Sequence, residues 1–475
     1  MQLTERHMIK KGSPYYERCD ELSFLSKNLY NETLYLVRQR FFETGEFVRY
    51  ATLNHELSEQ RQVDYKSLPA KVAQQTMRGV DTAFMSFFKA LKSYRKDPSK
   101  FTAKPEMPKY LDKKDGRYVV TYTSQAVSRK ALEDNGYVIP SGSGIAVKSR
   151  VRYKDLDCVR IVRGTECYFV EVVYTVGGKP LMADNGRHAA MDLGVSNLAT
   201  VVSNCDDVLP YIISGKELKS YNHWYNRRSS DLKSMAEARN GRKSTRRIRM
   251  MARDRQRRID DFLHKASRHV VNRLVSDRMT ALVIGYNKGW KQDTDMGKAN
   301  NQNFTEIPFL RFVQMVEYKC RLAGIACHLQ NESHTSKCSF LDNEEVCHHE
   351  RYKGTRVKRG LFKASDGRTM NADVNGAMNI LRKCKPLGNV KTPIWCNGCV
   401  VHPVIVHLWT MTKRSGAKHT LNSGLRMRKL KRRTCLKQTD LQGFFNVLSN
   451  YKNCKTIKCR TPYSITGRYL PLCLT

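Results

Sequence analysis

Three short apolar runs follow one another at His188–Leu193, Leu198–Ser203 and Pro210–Ser214. Each is long enough for one strand, and each is closed by turn residues. A long, polar, Arg-rich helical stretch runs from about 215 to 279. Then come a strand at Ala281–Ile284, a helix at Phe309–Ala323, a strand at Ile325–Leu329 and a helix from Asp373 to Arg382. Phe309, Phe312, Val313, Val316 and Cys320 recur at helical spacing on one side of the second helix.

Three antiparallel strands followed by alternating helices and strands is the order of an α/β RNase H-like fold. Such a sheet presents carboxylates at strand ends. Asp192 closes the first strand, just before Gly194, and Asp373 lies in the first turn of the last helix. A helix N-terminus favours an ionised carboxylate. The fourth strand ends in Gly285, which has no side chain to ligate anything. The following strand runs on through His328-Leu-Gln-Asn to Glu332, so Glu332 is expected to reach across the space left at Gly285. Glu317 and Glu306 are weaker candidates. Three carboxylates in this setting can hold two divalent ions about 4 Å apart, the arrangement that cuts phosphodiesters. An oxygen-only donor set suits Mg²⁺, with Mn²⁺ as an alternative, rather than zinc. Asn375 and Asn379 share the last helix and are expected to position waters or backbone.

The charge balance names the substrate class. The chain has 475 residues and 84 Lys and Arg against 44 Asp and Glu, a net charge of +40. A surplus this large repels itself in a compact state unless a polyanion offsets it, so nucleic acid is the expected partner. Arg239–Arg258 alone holds ten Lys and Arg, including Arg242, Lys243, Arg246, Arg247, Arg249 and Arg253, and one acid, Asp254. These residues are expected to contact nucleic-acid backbone, which carries no sequence information. No run of eighteen apolar residues occurs, and the N-terminus has no signal-peptide core. With 15 scattered cysteines, the expectation is reduced thiols in the cytoplasm of a prokaryotic cell, with nucleoid association.

The N-terminal part is expected to be helical over 14–100. One helix opens at Leu68-Pro69 and carries Val80, Phe84, Phe87, Phe88 and Leu91 on one face. Strands are expected at Tyr118–Thr123, Ile145–Val151, Cys158–Val162 and Tyr168–Val176, the last two joined by a Gly-containing hairpin loop at 163–166. They form a small antiparallel barrel or sheet. Residues 384–475 hold 17 Lys and Arg and one acid, Asp440, and are expected to be largely irregular.

Five stretches resemble the TnpB family of transposon-associated, RNA-guided nucleases related to type V CRISPR effectors. They are Leu-Pro-Ala-Lys-Val-Ala-Gln-Gln (68–75), Met-Asp-Leu-Gly-Val (191–195), Val-Ile-Gly-Tyr-Asn-Lys-Gly-Trp-Lys-Gln (283–292), Thr-Ser-Lys-Cys-Ser-Phe-Leu-Asp (335–342) and Asn-Ala-Asp-Val-Asn-Gly-Ala-Met-Asn-Ile-Leu (371–381). The resemblance covers roughly residues 1–383. It implies a RuvC nuclease domain and an N-terminal β-barrel wedge domain carrying a helical insertion. On that pattern the wedge spans 1–13 and 104–183, and a recognition domain spans 14–103. RuvC spans 184–332 and 371–383, with a target-nucleic-acid-binding insertion at 333–370 and a basic tail after it. The implied activity is cutting of double-stranded DNA beside a short motif, guided by an RNA encoded next to the gene, one protein per guide RNA.

The family's first and third RuvC acids fall on Asp192 and Asp373, and its second falls at Gly285, a departure that Glu332 would repair. The recognition domain would read the motif through Lys71 and Gln75, four apart on one helix face. Trp290 would stack on single-stranded DNA near the site, with Lys291 beside it. Residues 333–372 offer Cys338, Cys347, His348 and His349 without paired C-x-x-C spacing, so no zinc is expected. Cys396 and Cys399 are a lone pair. Rival readings are a nuclease-inactive, RNA-guided repressor, a compact CRISPR effector, and a transposing enzyme that works without RNA.

Overall fold

The strands at residues 188–193, 197–203, 211–214 and 281–285 are mostly apolar and buried, which suits a sheet covered on both faces. The computed structural model describes residues 1–287, 306–388, 393 and 402–409. Trp290, Lys291, Cys396, Cys399 and the tail from 410 onward lie outside the described residues.

The N-terminal region begins with β1 (Gln2–Lys10) and continues through α1 (Tyr16–Thr44), α2 (Tyr50–Glu59), α3 (Val63–Lys66) and α4 (Ala70–Lys96). It then returns to β2 (Val120–Thr123), α5 (Arg129–Asn135), β3 (Tyr137–Val138), β4 (Val147–Lys148), β5 (Leu156–Gly164) and β6 (Cys167–Thr175). The sheet order is β1-β6-β5-β2, all antiparallel. β1 and β2 are the outer strands and do not pair, so of the expected barrel or sheet the hydrogen-bonded strands form an open sheet. The expected strand at Ile145–Val151 shrinks to two residues. Gly142 and Gly144 turn the chain at positive φ, and Ser149 spends its hydroxyl on Glu5 and on the Val151 N–H instead of a ladder. In α4, Val72, Met77, Val80 and Phe84 are buried and Phe87 and Phe88 pack against them, leaving Lys71 exposed and Gln75 half-buried.

The second sheet has the order β11-β10-β7-β8-β9-β15. Its members are β7 (His188–Leu193), β8 (Asn197–Ser203), β9 (Tyr211–Ser214), β10 (Ala281–Gly285), β11 (Ala326–Gln330) and β15 (Val404–Val406). β7 is central: it pairs antiparallel with β8, Asp192 opposite Thr200, and parallel with β10, Ile284 opposite Met191. β15 corrects the reading of an irregular tail. The β-branched Val-Ile-Val run lies parallel to β9 and extends the sheet.

Two helices stand where one long helix was expected: α6 (Lys216–Asn240) and α7 (Arg246–Ser276). Gly241 breaks the run in the left-handed region at φ 60°. Thr245 then caps the next helix, its hydroxyl accepting the Ile248 N–H at 3.3 Å. α7 and α8 (Phe309–Ala323) cover one sheet face, packing Phe262, Leu263, Phe309 and Phe312 on Met191, Leu193, Leu282 and Ile284. A three-stranded antiparallel sheet follows, of β12 (Thr355–Lys358), β13 (Leu361–Lys363) and β14 (Thr369–Met370). The last helix, α9 (Ala372–Lys383), covers the other face, packing Val374, Ala377, Met378 and Ile380 on Ala190, Val202 and Val283. Side chains on a strand alternate faces, so Asp192 and position 285 both point to the α9 side. No helix among the described residues is long and apolar enough to cross a membrane.

Candidate active site

The site lies where the C-terminal ends of β7 and β10 meet the first turns of α9. Asp192 faces α9 at Gly376, where a Cβ would sit 3.3 Å from its Oδ2. A side chain there would have to push the carboxylate back by a few tenths of an ångström. Burial, then the negative charges of Glu332 and Asp373, push the Asp192 carboxyl well above its ordinary range, while Arg356 opposes them weakly.

The Glu332 carboxylate stands against Gly285. A Cβ on Gly285 would lie 2.9 Å from Glu332 Oε2 and 2.5 Å from Ile380 Cδ1. The two strands are parallel with Gly285 opposite Gln330, so Glu332 is two residues past the paired position. Asn287 fixes the crossing: its Oδ1 accepts the Glu332 N–H at 3.0 Å and its Nδ2 donates to Glu332 Oε1 at 3.5 Å. Burial pushes the Glu332 carboxyl up to about 7.

Asp373 sits in the first turn of α9 behind its N-cap, Asn371, whose Oδ1 accepts the N–H groups of Asp373 (2.9 Å) and Val374 (3.2 Å). Its Oδ2 accepts from Asn197 Nδ2 at 2.6 Å, and Arg356 Nη2 approaches its Oδ1 at 3.5 Å. Among the described residues, no three His, Cys, Asp or Glu side chains are drawn together as a finished metal-ligand set. Asp373 is held instead by Asn197 and Arg356. The donor set itself fits a hard divalent cation: oxygen ligands only, from three separate elements, with like-charge crowding that such an ion would relieve.

Asn375 and Asn379 are fully buried and hold backbone. Asn375 accepts the Phe340 N–H and donates to the Cys338 carbonyl, and Asn379 donates to the carbonyls of Thr335 and Cys338. They pin the 335–340 turn to α9. Cys338 is buried with its thiol toward the Cys347 carbonyl, and Cys347 lies 3.3 Å from His349 Nε2. Glu306 is away from the site, on Asn226 at 2.5 Å, and Glu317 lines a separate cavity beside Tyr318 and His328.

Arg242, Lys243, Arg246, Arg247 and Arg249 are exposed and Arg253 is half-buried. The β5–β6 hairpin claims part of this group: Glu166 pairs with Arg246 at 3.2 Å and Arg249 at 3.0 Å, and Arg253 donates to the Thr165 carbonyl. Sequence reasoning missed Asn197, Asn287 and Arg356. Asn287 lies just past β10 and Asn197 opens β8 across the turn from Asp192, and these strand-end positions were the available signal. Arg356 comes from the small sheet and carried none.

Residues 171–291 match the OrfB_IS605 family, described as a probable transposase, and residues 309–380 match the Cas12f1-like TNB domain. The TnpB-like protein ORF457 of Acidianus two-tailed virus is 23% identical over 216 residues, covering 43% of this chain and 44% of the relative. The chain thus spans less than half the length of that curated relative. Among solved structures, a Cas12f1–sgRNA–target DNA complex aligns with a TM-score of 0.33 at 14% identity, covering 81% of this chain and 100% of that one. A CRISPR-Cas12f ternary complex aligns at 0.31 and 12%, covering 77% and 81%. The two family matches and the viral relative bear out the resemblance read from the sequence: over residues 171–291 and 309–380 the chain is similar to TnpB and type V-related proteins.

Proposed function

We propose that this protein is an RNA-guided endonuclease that cuts double-stranded DNA beside a short motif. The observation that carries this reading is the Glu332 carboxylate standing in the space left at Gly285, on the same side of the sheet as Asp192, whose carboxyl feels the charges of both Glu332 and Asp373. A chain of net charge +40 supports a nucleic-acid substrate. Bound by Asp192, Glu332 and Asp373, Mg²⁺ or Mn²⁺ would supply Lewis-acid polarisation of the scissile phosphate and an activated water. Asn287 holds Glu332 across the strand gap, and Asn197 and Asn371 orient Asp373. Arg242, Lys243 and Arg247 supply exposed charge for guide-RNA or heteroduplex backbone, and Lys71 and Gln75 read the motif from the first turns of α4.

The test is plasmid cleavage by the protein purified with its co-purifying RNA, with and without Mg²⁺. Metal-dependent cutting that RNase abolishes supports the reading. Guide-directed binding without cutting supports the nuclease-inactive repressor, which Gly285 favours. RNase-insensitive cutting supports an RNA-independent transposing enzyme.

A further inference from the structure

Outside the carboxylate site, α6 carries an aromatic shelf. Trp224 is 53% exposed, an unusual place to leave an indole. It is stacked on Tyr221, ring centroids 5.5 Å apart and planes 22° apart. Tyr221 is held from behind by Trp409 at 5.3 Å, which in turn packs on Phe262 at 5.5 Å. The Arg258 guanidinium lies 5.1 Å from the Tyr221 ring centre. The inner rings therefore have an ordinary packing role, and Trp224 does not: it extends the stack into solvent. Arg228 is four residues further along α6, hence on the same face one turn on, and is exposed.

The shelf is also placed with respect to the carboxylates. Gly215 at the head of α6 donates its N–H to the Ser196 carbonyl at 2.9 Å, next to Asn197, which holds Asp373. Nine residues of helix rise separate Gly215 from Trp224, about 13 Å.

We propose that Trp224, backed by Tyr221, is a stacking platform for an unpaired nucleobase, with Arg228 taking the adjoining phosphate. A flat aromatic face with cations beside it fits a base and its phosphate, and the net charge of +40 favours nucleic acid as the occupant. A duplex, whose bases are already stacked, gains nothing from it. The inference rests on the reading that the chain binds nucleic acid and is independent of whether it cuts.

The experiment uses the full chain with fluorescent oligothymidylate, oligouridylate and a DNA duplex of equal length, followed by anisotropy. Trp224→Ala should weaken single-strand binding about five- to hundred-fold, and Trp224→Phe should retain most of it, with duplex binding unchanged. A larger loss on DNA identifies a displaced strand as the occupant, and a larger loss on RNA identifies the guide. Single-strand affinity within about twofold of wild type in Trp224→Ala, or equal weakening of duplex, overturns the proposal. Photocrosslinking of 5-bromouracil oligonucleotides to the wild-type protein guards against a folding defect in the variant. Attachment at Trp224 supports the platform, and attachment only elsewhere overturns it. Cutting by the wild type with unaltered binding in Trp224→Ala sinks the platform alone. Oligonucleotide binding without any cutting leaves the platform standing and sinks the nuclease reading.

Discussion

Gly285→Ala separates the position of the third carboxylate from its presence. The added Cβ would lie 2.9 Å from Glu332 Oε2 and 2.5 Å from Ile380 Cδ1, both nearer than side chains tolerate. Both atoms are the far ends of side chains, so the packing can yield. The stability cost should fall at the low end for overpacking, about 1 kcal/mol. For a chain of 475 residues that lowers the melting temperature by only about 1 °C. The effect on cutting is larger, because Glu332 must swing off its line between Gly285 and Asn287. A shift of about 1 Å in a reacting constellation costs on the order of 100-fold in rate. The assay pairs thermal melting with plasmid cleavage under saturating Mg²⁺ and guide RNA. Adding Ile380→Val removes the atom nearest the new methyl, so it should recover melting and leave cutting slow. Wild-type cutting by Gly285→Ala would refute the placement of Glu332 in the site. Full recovery of cutting by the double variant would show that packing alone was disturbed.

Glu332→Gln keeps the shape and removes the charge, so it should abolish cutting while DNA binding, measured by gel shift, stays at the wild-type level; retained cutting would remove Glu332 from the ligand set. Asn371→Ala should cost about 1 kcal/mol of helix-cap stability and slow cutting by more than that loss accounts for, because the cap also orients Asp373. Equal losses in urea melts and cleavage rates would reduce Asn371 to a cap. Lys319 is buried, donating to the His264 carbonyl and Ser267 Oγ, and burial lowers its ammonium from 10.5 to about 8. Below that value both folded and unfolded chains carry the charge, and the folded one bears the desolvation. Between the two values the unfolded chain holds the extra proton, so stability rises with pH. Lys319→Met should therefore stabilise the protein at neutral pH by about 1–3 kcal/mol in urea melts, a gain that fades as pH climbs through the ordinary lysine range. Destabilisation at neutral pH would show that its two hydrogen bonds outweigh the buried charge.

The sheet was legible because its strands are short apolar runs with clear turns, and five of its six members lie where those runs predict. The missed elements carry short or very local signals. Gly241 splits a helix whose polar composition continues on both sides. Ser149 converts a β-like run into a loop through its own hydroxyl. Val404–Val406 is three residues long and became a strand only because β9 offered an open edge. The approach of Glu332 to Gly285 was legible because Gly285 interrupts an otherwise regular motif. The grip of Arg356 on Asp373 was not, since it depends on how a separate small sheet packs.

Two glycines do as much to shape the candidate site as its three acids. Gly376 lets α9 settle against Asp192, and Gly285 leaves room for a carboxylate from the neighbouring strand. Both stand on the α9 side of the sheet, where buried Asn375 and Asn379 lock the helix to the 335–340 turn. That turn begins three residues after Glu332. The third acid is therefore tied to the same helix that carries Asp373, once through the turn and once through Ile380 beside Gly285. A perturbation that lets α9 slide should move Asp373 and Glu332 together relative to Asp192, so Asp192 on β7 is the fixed point of the site and α9 its adjustable wall.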